Sequence, residues 1–158
     1  MAKRPATDRF RDAAALVGVA PDIIRFGADT RTAHDAAAAI GCEVAQIVKS
    51  LVFELDARPL LVLTSGANQV DTDKLGQLLG GRVGRADPAV VREATGFAIG
   101  GVPPFGHLSP VRTVIDRDLL EYEVVYGAAG APDSVFPIRS AVLVDVTAGL
   151  VAEVATDR

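Results

Sequence analysis

The sequence predicts an α+β domain built around a mixed β-sheet. Several short segments rich in β-branched residues and Leu read as strands. Ala-rich or amphipathic segments with capping signals lie among them. The two kinds do not alternate strictly, as a doubly wound parallel sheet would require. A chain of 158 residues, 49% of them apolar, is long enough for one domain with a substantial core. Aromatics are scarce at 5% and Trp is absent, so Ala, Val, Leu and Ile must fill that core around six Phe.

Taken in order, Phe10, Ala14 and Val17 recur at helical spacing over 8–17, and Gly18 ends the helix. Residues 22–26 form a short apolar strand candidate. Thr32 is an N-cap, an Ala-rich helix runs to Ile40, and Gly41 follows. Residues 47–55 and 60–64 are strands; Asp56-Ala57-Arg58-Pro59 between them suggests an antiparallel hairpin. Asp71 caps a helix to Leu79, stopped by Gly80-Gly81. Asp87-Pro88 opens another, through Glu93. Residues 100–107 hold too much Gly and Pro for regular structure. Residues 111–115 and 121–126 read as strands. The composition of 140–146 favours strand, with a short buried helix as the alternative, and 150–154 forms a last strand.

Charge and composition narrow the function classes. The 16 Lys and Arg against 20 Asp and Glu leave a net charge of −4, unlike the basic balance of a dedicated DNA-binding domain. Lys74, Arg82, Arg85 and Arg92 could form a local basic patch, or a solvated helix face. With Cys42 the only cysteine and two His, neither a disulfide nor a zinc site is expected. The basic N-terminal segment lacks the apolar stretch of a signal peptide, and no apolar run approaches a membrane span, so the expected location is cytoplasmic, with no membrane partner.

Two features could carry chemistry. In a strand, Lys49 shares a face with Ile47, Leu51 and Phe53, while Ser50 and Glu54 make the opposite row look wetter. Lys49 then falls in the row expected to face the core, where a lysine needs an anionic partner, or else it snorkels to solvent. The loop Gly100-Gly101-Val102-Pro103-Pro104-Phe105-Gly106-His107 could bring backbone N–H groups close to a ligand, or be a rigid crossover. Gly127-Ala128-Ala129-Gly130 could border a pocket or form a plain turn. His34 is expected in solvent, and Cys42 as a small packed residue. Asp71, Asp73, Asp116 and Asp118 are spaced like caps and turn residues. No nucleophile elbow, phosphate-binding loop or dinucleotide fingerprint is present.

Three segments together resemble the family of YbaK and prolyl-tRNA synthetase-associated editing domains. Ile47-Val48-Lys49-Ser50-Leu51 is similar to the family's lysine-bearing strand. Residues 95–106 are similar to its Gly-x-x-x-Pro loop, with Gly100 and Pro104 as the fixed points. Thr113-Val114-Ile115-Asp116, a strand and then Gly127–Gly130 follow in the family's order. The resemblance runs from about Thr30 to the C-terminus and implies one domain over 1–158 whose curved mixed sheet closes into a barrel-like core. It implies a free-standing deacylase that hydrolyses mischarged aminoacyl-tRNA, above all tRNA for proline carrying Ala or Cys, without a covalent nucleophile, metal or cofactor. Lys49, Gly100 and Gly101 would be catalytic. Pro103, Pro104, Gly106, His107, Gly127 and Gly130 would help bind substrate, and Phe26, Thr30 and Ser50 would wall the amino-acid pocket. The implied partner is the tRNA acceptor end, with prolyl-tRNA synthetase as a further candidate and no DNA. The alternatives are deacylation of Ser- or Thr-charged tRNA, an inactive module binding a nucleotide or aminoacyl end, and a general small-ester hydrolase.

Overall fold

A computed structural model of the chain describes residues 4–27 and 32–157. Its organising element is the expected hairpin, strand β2 (Ile47–Leu55) against β3 (Arg58–Ser65). Leu55 pairs with Arg58 across a two-residue turn in which Asp56 (φ 48°) and Ala57 (φ 70°) are both left-handed. That is the type I′ turn, whose twist matches the twist of the flanking strands.

Around the hairpin lie α1 (Ala6–Leu16), β1 (Ile24–Arg25), α2 (Ala33–Ile40), α3 (Thr72–Leu79), β4 (Val83–Arg85), α4 (Pro88–Thr95), β5 (Arg112–Asp116), β6 (Val124–Ala128), β7 (Ser134–Arg139), α5 (Ser140–Thr147) and β8 (Leu150–Ala152). The capping signals act as read at α2 and α3, whereas Asp87 occupies the N-cap position of α4 with no side-chain hydrogen bond among the described residues. Thr32 and Asp35 form a reciprocal capping box on α2, and Asp71 accepts the N–H groups of Asp73 and Lys74 at the start of α3. The sheet is mixed, in the order β1-β7-β6-β2-β3-β5-β8, with β4 joining β2 beside that path. β1 and β8 end the path, and among the described residues they do not pair with each other, so the barrel closure that the resemblance implied is not seen in the strand pairing.

The alternation along β3 divides the core. Leu61 and Leu63 join a larger cluster with Ile115, Phe10, Phe105 and Phe136, whose three rings pack with centroids 4.8–5.9 Å apart. Leu60 and Val62 join a smaller cluster with Val114, Leu75 and Val154 on the opposite face. The sheet is therefore apolar on both faces, which corrects the reading of β2. Val48 and Val52, in the row with Ser50, meet the larger cluster. The Lys49 row carries Phe53 and Leu55 to the smaller one. Ser50 and Glu54 made the first row look wetter than it is.

Other elements also depart from the expectation, and at 140–147 the helix alternative holds over the strand that composition favoured. Residues 140–147 are helix: Ser140 anchors the first turn through its N–H to Glu123 O and its hydroxyl to Tyr122 O, and Leu143 is buried. The strand expected at 121–126 starts at Val124, because Asp116 caps a 3-10 turn over Arg117–Glu121. The strands β4 and β7 were not anticipated at all. No described helix is long and apolar enough to cross a membrane.

Candidate active site at an open strand edge

One edge of β2 is paired with β3 from Val48 to Leu55. The other edge is shared: β6 runs parallel to it at Ile47 and Val48, and β4 runs antiparallel at Phe53 to Leu55. Among the described residues, none pairs as a strand with 49–52 on that side. Because Leu55 and Arg58 flank a two-residue turn, they form a hydrogen-bonded pair, and the odd-numbered residues of β2 point their N–H and C=O groups at β3. The flanking bonds agree: Ile47 O accepts from Gly66 N just past β3 (2.7 Å), and Asp56 N donates to Arg82 O on the other side (3.0 Å). Ser50 and Val52 therefore present their backbone N–H and C=O to the gap.

A cavity of about 540 Å³ opens there. Phe26, Ala33, Ala36 and Tyr126 form one wall, Val48, Ser50, Val52, Val91 and Val102 another, and Ile99 with Gly100 the rim. Among the described lining residues only Lys49 and Arg85 are charged, and none is Asp or Glu. The Ser50 hydroxyl is buried and has no hydrogen-bond partner among the described residues.

Lys49 reaches away from the larger core. Its Nζ donates to Asn68 O at 2.7 Å. Asn68 Nδ2 in turn donates to Asp116 Oδ2 (2.9 Å) and Asp118 Oδ2 (2.8 Å). Asp116, only 1% exposed, also accepts from Thr64 Oγ1 and Ser65 N on the same oxygen, and from Asp118 N on the other. Partial burial pushes the Lys49 ammonium below the ordinary lysine pKa, and the Asp116 carboxylate partly opposes that shift. The sequence reading passed over Asn68 and took Asp116 as a cap or turn residue at the end of a family-like strand, which covers its cap on the 3-10 turn but not its buried hub. The available signal was a polar run, Thr64-Ser65-Gly66-Ala67-Asn68, leaving an apolar strand.

The Gly/Pro loop divides into a rim and a support. Gly100, with φ +89°, lines the cavity. Gly101 is buried behind it: its N–H donates to Ala98 O, and a Cβ there would lie 2.8 Å from Gly130 O. Pro103 and Pro104 are buried as well. Pro103 O bonds His107 Nε2 at 2.7 Å, and Pro104 abuts Gly127, where a Cβ would meet it at 3.1 Å. Burial pushes the His107 pKa down, against the hydrogen bond to Pro103. Gly106 packs on Ala13 and Phe10, and Gly130 (φ +105°) on Ala6 O. Gly101, Pro103, Pro104, Gly106, His107, Gly127 and Gly130 thus form the frame behind the rim. Phe26, Lys49, Ser50 and Gly100 meet at the cavity. Thr30 lies outside the described residues.

Comparison with known proteins gives this arrangement a context. A profile of the aminoacyl-tRNA editing domain matches residues 27–146. YwhH, an uncharacterized protein of Bacillus subtilis (strain 168), is 32% identical over 114 residues, covering 72% of this chain and 73% of its own length. The proline–tRNA ligase of Lysinibacillus sphaericus (strain C3-41) is 30% identical over 109 residues, 68% of this chain but 19% of that enzyme. Among solved structures, a candidate trans-editing enzyme for prolyl-tRNA synthetase superposes with TM-score 0.93 at 41% identity, over 99% of this chain and 100% of that one. The hypothetical protein APE2540 gives 0.85 at 29% identity, over 94% and 99%.

Proposed function

Since the chain belongs to the aminoacyl-tRNA editing domain family, we propose that it is a free-standing deacylase that hydrolyses the ester of a mischarged tRNA in the cytoplasm. One observation carries the reading: an apolar cavity of about 540 Å³ meets a hydrogen-bonding strand edge and one tethered lysine. That volume is large enough for an aminoacyl group together with part of the ribose that carries it. The N–H and C=O groups of Ser50 and Val52, which have no strand partner among the described residues, can hold the polar ends of the aminoacyl group. The Lys49 ammonium favours negative charge building on the substrate, and Gly100 adds no side chain of its own to the rim.

Among the described lining residues, the Thr32 hydroxyl accepts from Asp35 N in the cap of α2 and the Ser134 hydroxyl donates to Ala131 O, so both are engaged in local backbone structure. We therefore assign the attack to water or to the neighbouring hydroxyl of the terminal ribose. The attacking oxygen adds to the ester carbonyl, and the tetrahedral intermediate expels the ribose oxygen, which takes a proton. After attack by water the products are the free amino acid and uncharged tRNA. After attack by the ribose hydroxyl the ester migrates first, and water completes the reaction. Positioning and charge stabilisation lower the barrier for an ester that is already labile.

The names of the relatives favour tRNA for proline as the substrate and prolyl-tRNA synthetase as a partner, and the family resemblance implies Ala or Cys as the wrong residue. The test incubates the purified protein with tRNA for proline charged with alanine, cysteine, serine or proline. Selective release of alanine or cysteine supports the reading. Intact esters throughout would overturn it.

A further inference from the structure

A second hollow, of about 470 Å³, lies on the Lys49 face of β2. It shares Lys49, Leu51, Phe53 and Arg85 with the first, so the two meet at the open strand edge. Gln69, Thr72 and Gly84 give it polar side-chain and backbone groups. The chain has 20 acidic residues against 16 basic ones, yet no described residue lining either hollow is Asp or Glu. Lys49 is already bonded to Asn68 O. Arg85 is exposed, and among the described residues its guanidinium has no ion pair or hydrogen bond. Lys74, by contrast, is held by Asp157 and Ala155 O, and lines neither hollow.

An acid-free hollow with a free guanidinium at its mouth suits an anion that accepts two parallel hydrogen bonds. We propose that this second hollow receives the nucleotide next to the aminoacylated one and that Arg85 grips its phosphate. The substrate then straddles β2, with the aminoacyl group on one side and the phosphodiester on the other. This assignment rests on the deacylase reading for the identity of the ligand. Arg85 is a positioning residue, since it holds the strand that delivers the ester to the cavity.

The test compares Arg85→Gln and Arg85→Lys with wild type and with Arg82→Gln, an exposed arginine outside both hollows. Each is assayed on aminoacyl-tRNA and on 3′-aminoacyl-adenosine, which lacks the phosphate. For Arg85→Gln, the ratio of kcat/KM between these two substrates is expected to fall about tenfold through KM, with the salt dependence of KM reduced by close to one phosphate contact. Arg85→Lys should recover part of the ratio and Arg82→Gln should keep it. An unchanged ratio in Arg85→Gln would overturn the proposal. Binding of a CCA trinucleotide, followed by calorimetry, separates this failure from failure of the deacylase reading. If wild type hydrolyses no ester yet binds CCA in an Arg85-dependent manner, the phosphate site stands. CCA binding that is absent or insensitive to Arg85 would sink it.

Discussion

Lys49 Nζ donates a 2.7 Å hydrogen bond to the backbone oxygen of Asn68, and the Asn68 side chain is itself fixed by the buried Asp116. The ammonium is thereby aimed by a segment that follows β3, although it sits on β2. This couples the proposed chemistry to a polar hub deep in the sheet.

Removing the ammonium should therefore separate activity from stability. Lys49→Ala is expected to lower deacylation on the order of a hundredfold, the scale for losing one stabilising donor. Its stability should change by no more than about 1 kcal/mol, since one hydrogen bond and one desolvation cost vanish together. Single-turnover rates and urea denaturation check both. Loss of the fold would reassign Lys49 as structural.

The pH dependence follows from the lowered Lys49 pKa. Burial disfavours the charged form in the folded state, so the fold carries a penalty at neutral pH that is relieved as pH rises through the lowered value. In that same window, below the ordinary lysine range, the ammonium-dependent rate should fall. Background-corrected rates at alkaline pH should show this decline in wild type and not in Lys49→Arg. An identical decline in both would remove Lys49 as its source.

Asp116 should matter chiefly to stability. Asp116→Ala leaves the Thr64 hydroxyl, Ser65 N–H and Asn68 amide without their shared buried acceptor. A loss of roughly 3 kcal/mol or more is expected, with Asp116→Asn retaining part of it. Equal stability of wild type and Asp116→Ala would show that water replaces the carboxylate.

The loop glycines should part company. A Cβ on Gly101 would press on Gly130 O at 2.8 Å, so Gly101→Ala should cost about 1–3 kcal/mol of stability. At Gly100 a Cβ meets only Pro132 at 3.7 Å, and the cost there is that of a positive φ, about 1–2 kcal/mol. Gly100→Ala should reduce activity more than its stability loss explains. Thermal midpoints measured beside rates decide the order.

Cavity size should set the choice of amino acid. Ala128 lies on β6 and lines the cavity, so Ala128→Val removes volume without disfavouring the strand. Discrimination against the larger acyl groups is expected to rise by about 1–3 kcal/mol. Relative kcat/KM for alanyl and cysteinyl esters measures it, and no change would place the side chain elsewhere.

The sequence carried the parts of this fold that local chemistry decides. Thr32, Asp71 and Asp87 marked helix starts, and Lys49 stood out because a charge interrupts an apolar strand. What escaped depends on distant partners. β4 is three residues long with Gly84 at its centre, and it exists because β2 offers an edge to it. β7 contains Pro137, which argues against a strand; it is tolerated because β1 covers the outer edge only at Ser134 and Val135. The gap between β6 and β4 is a property of three strands at once. So is the cavity, and no periodicity within one segment announces it. Arg85 was visible only as one basic residue among several, and the acid-free hollow that sets it apart is assembled from separate elements.

The most direct measurement follows backbone amide shifts by NMR as alanyl-adenosine with a non-hydrolysable 3′-amide linkage is added to the protein. Shifts concentrated on Ser50, Val52 and Gly100, with the amides of α5 unmoved, are the expected result. Saturating binding that leaves Ser50 and Val52 unmoved would contradict the placement of the aminoacyl group at the open edge of β2.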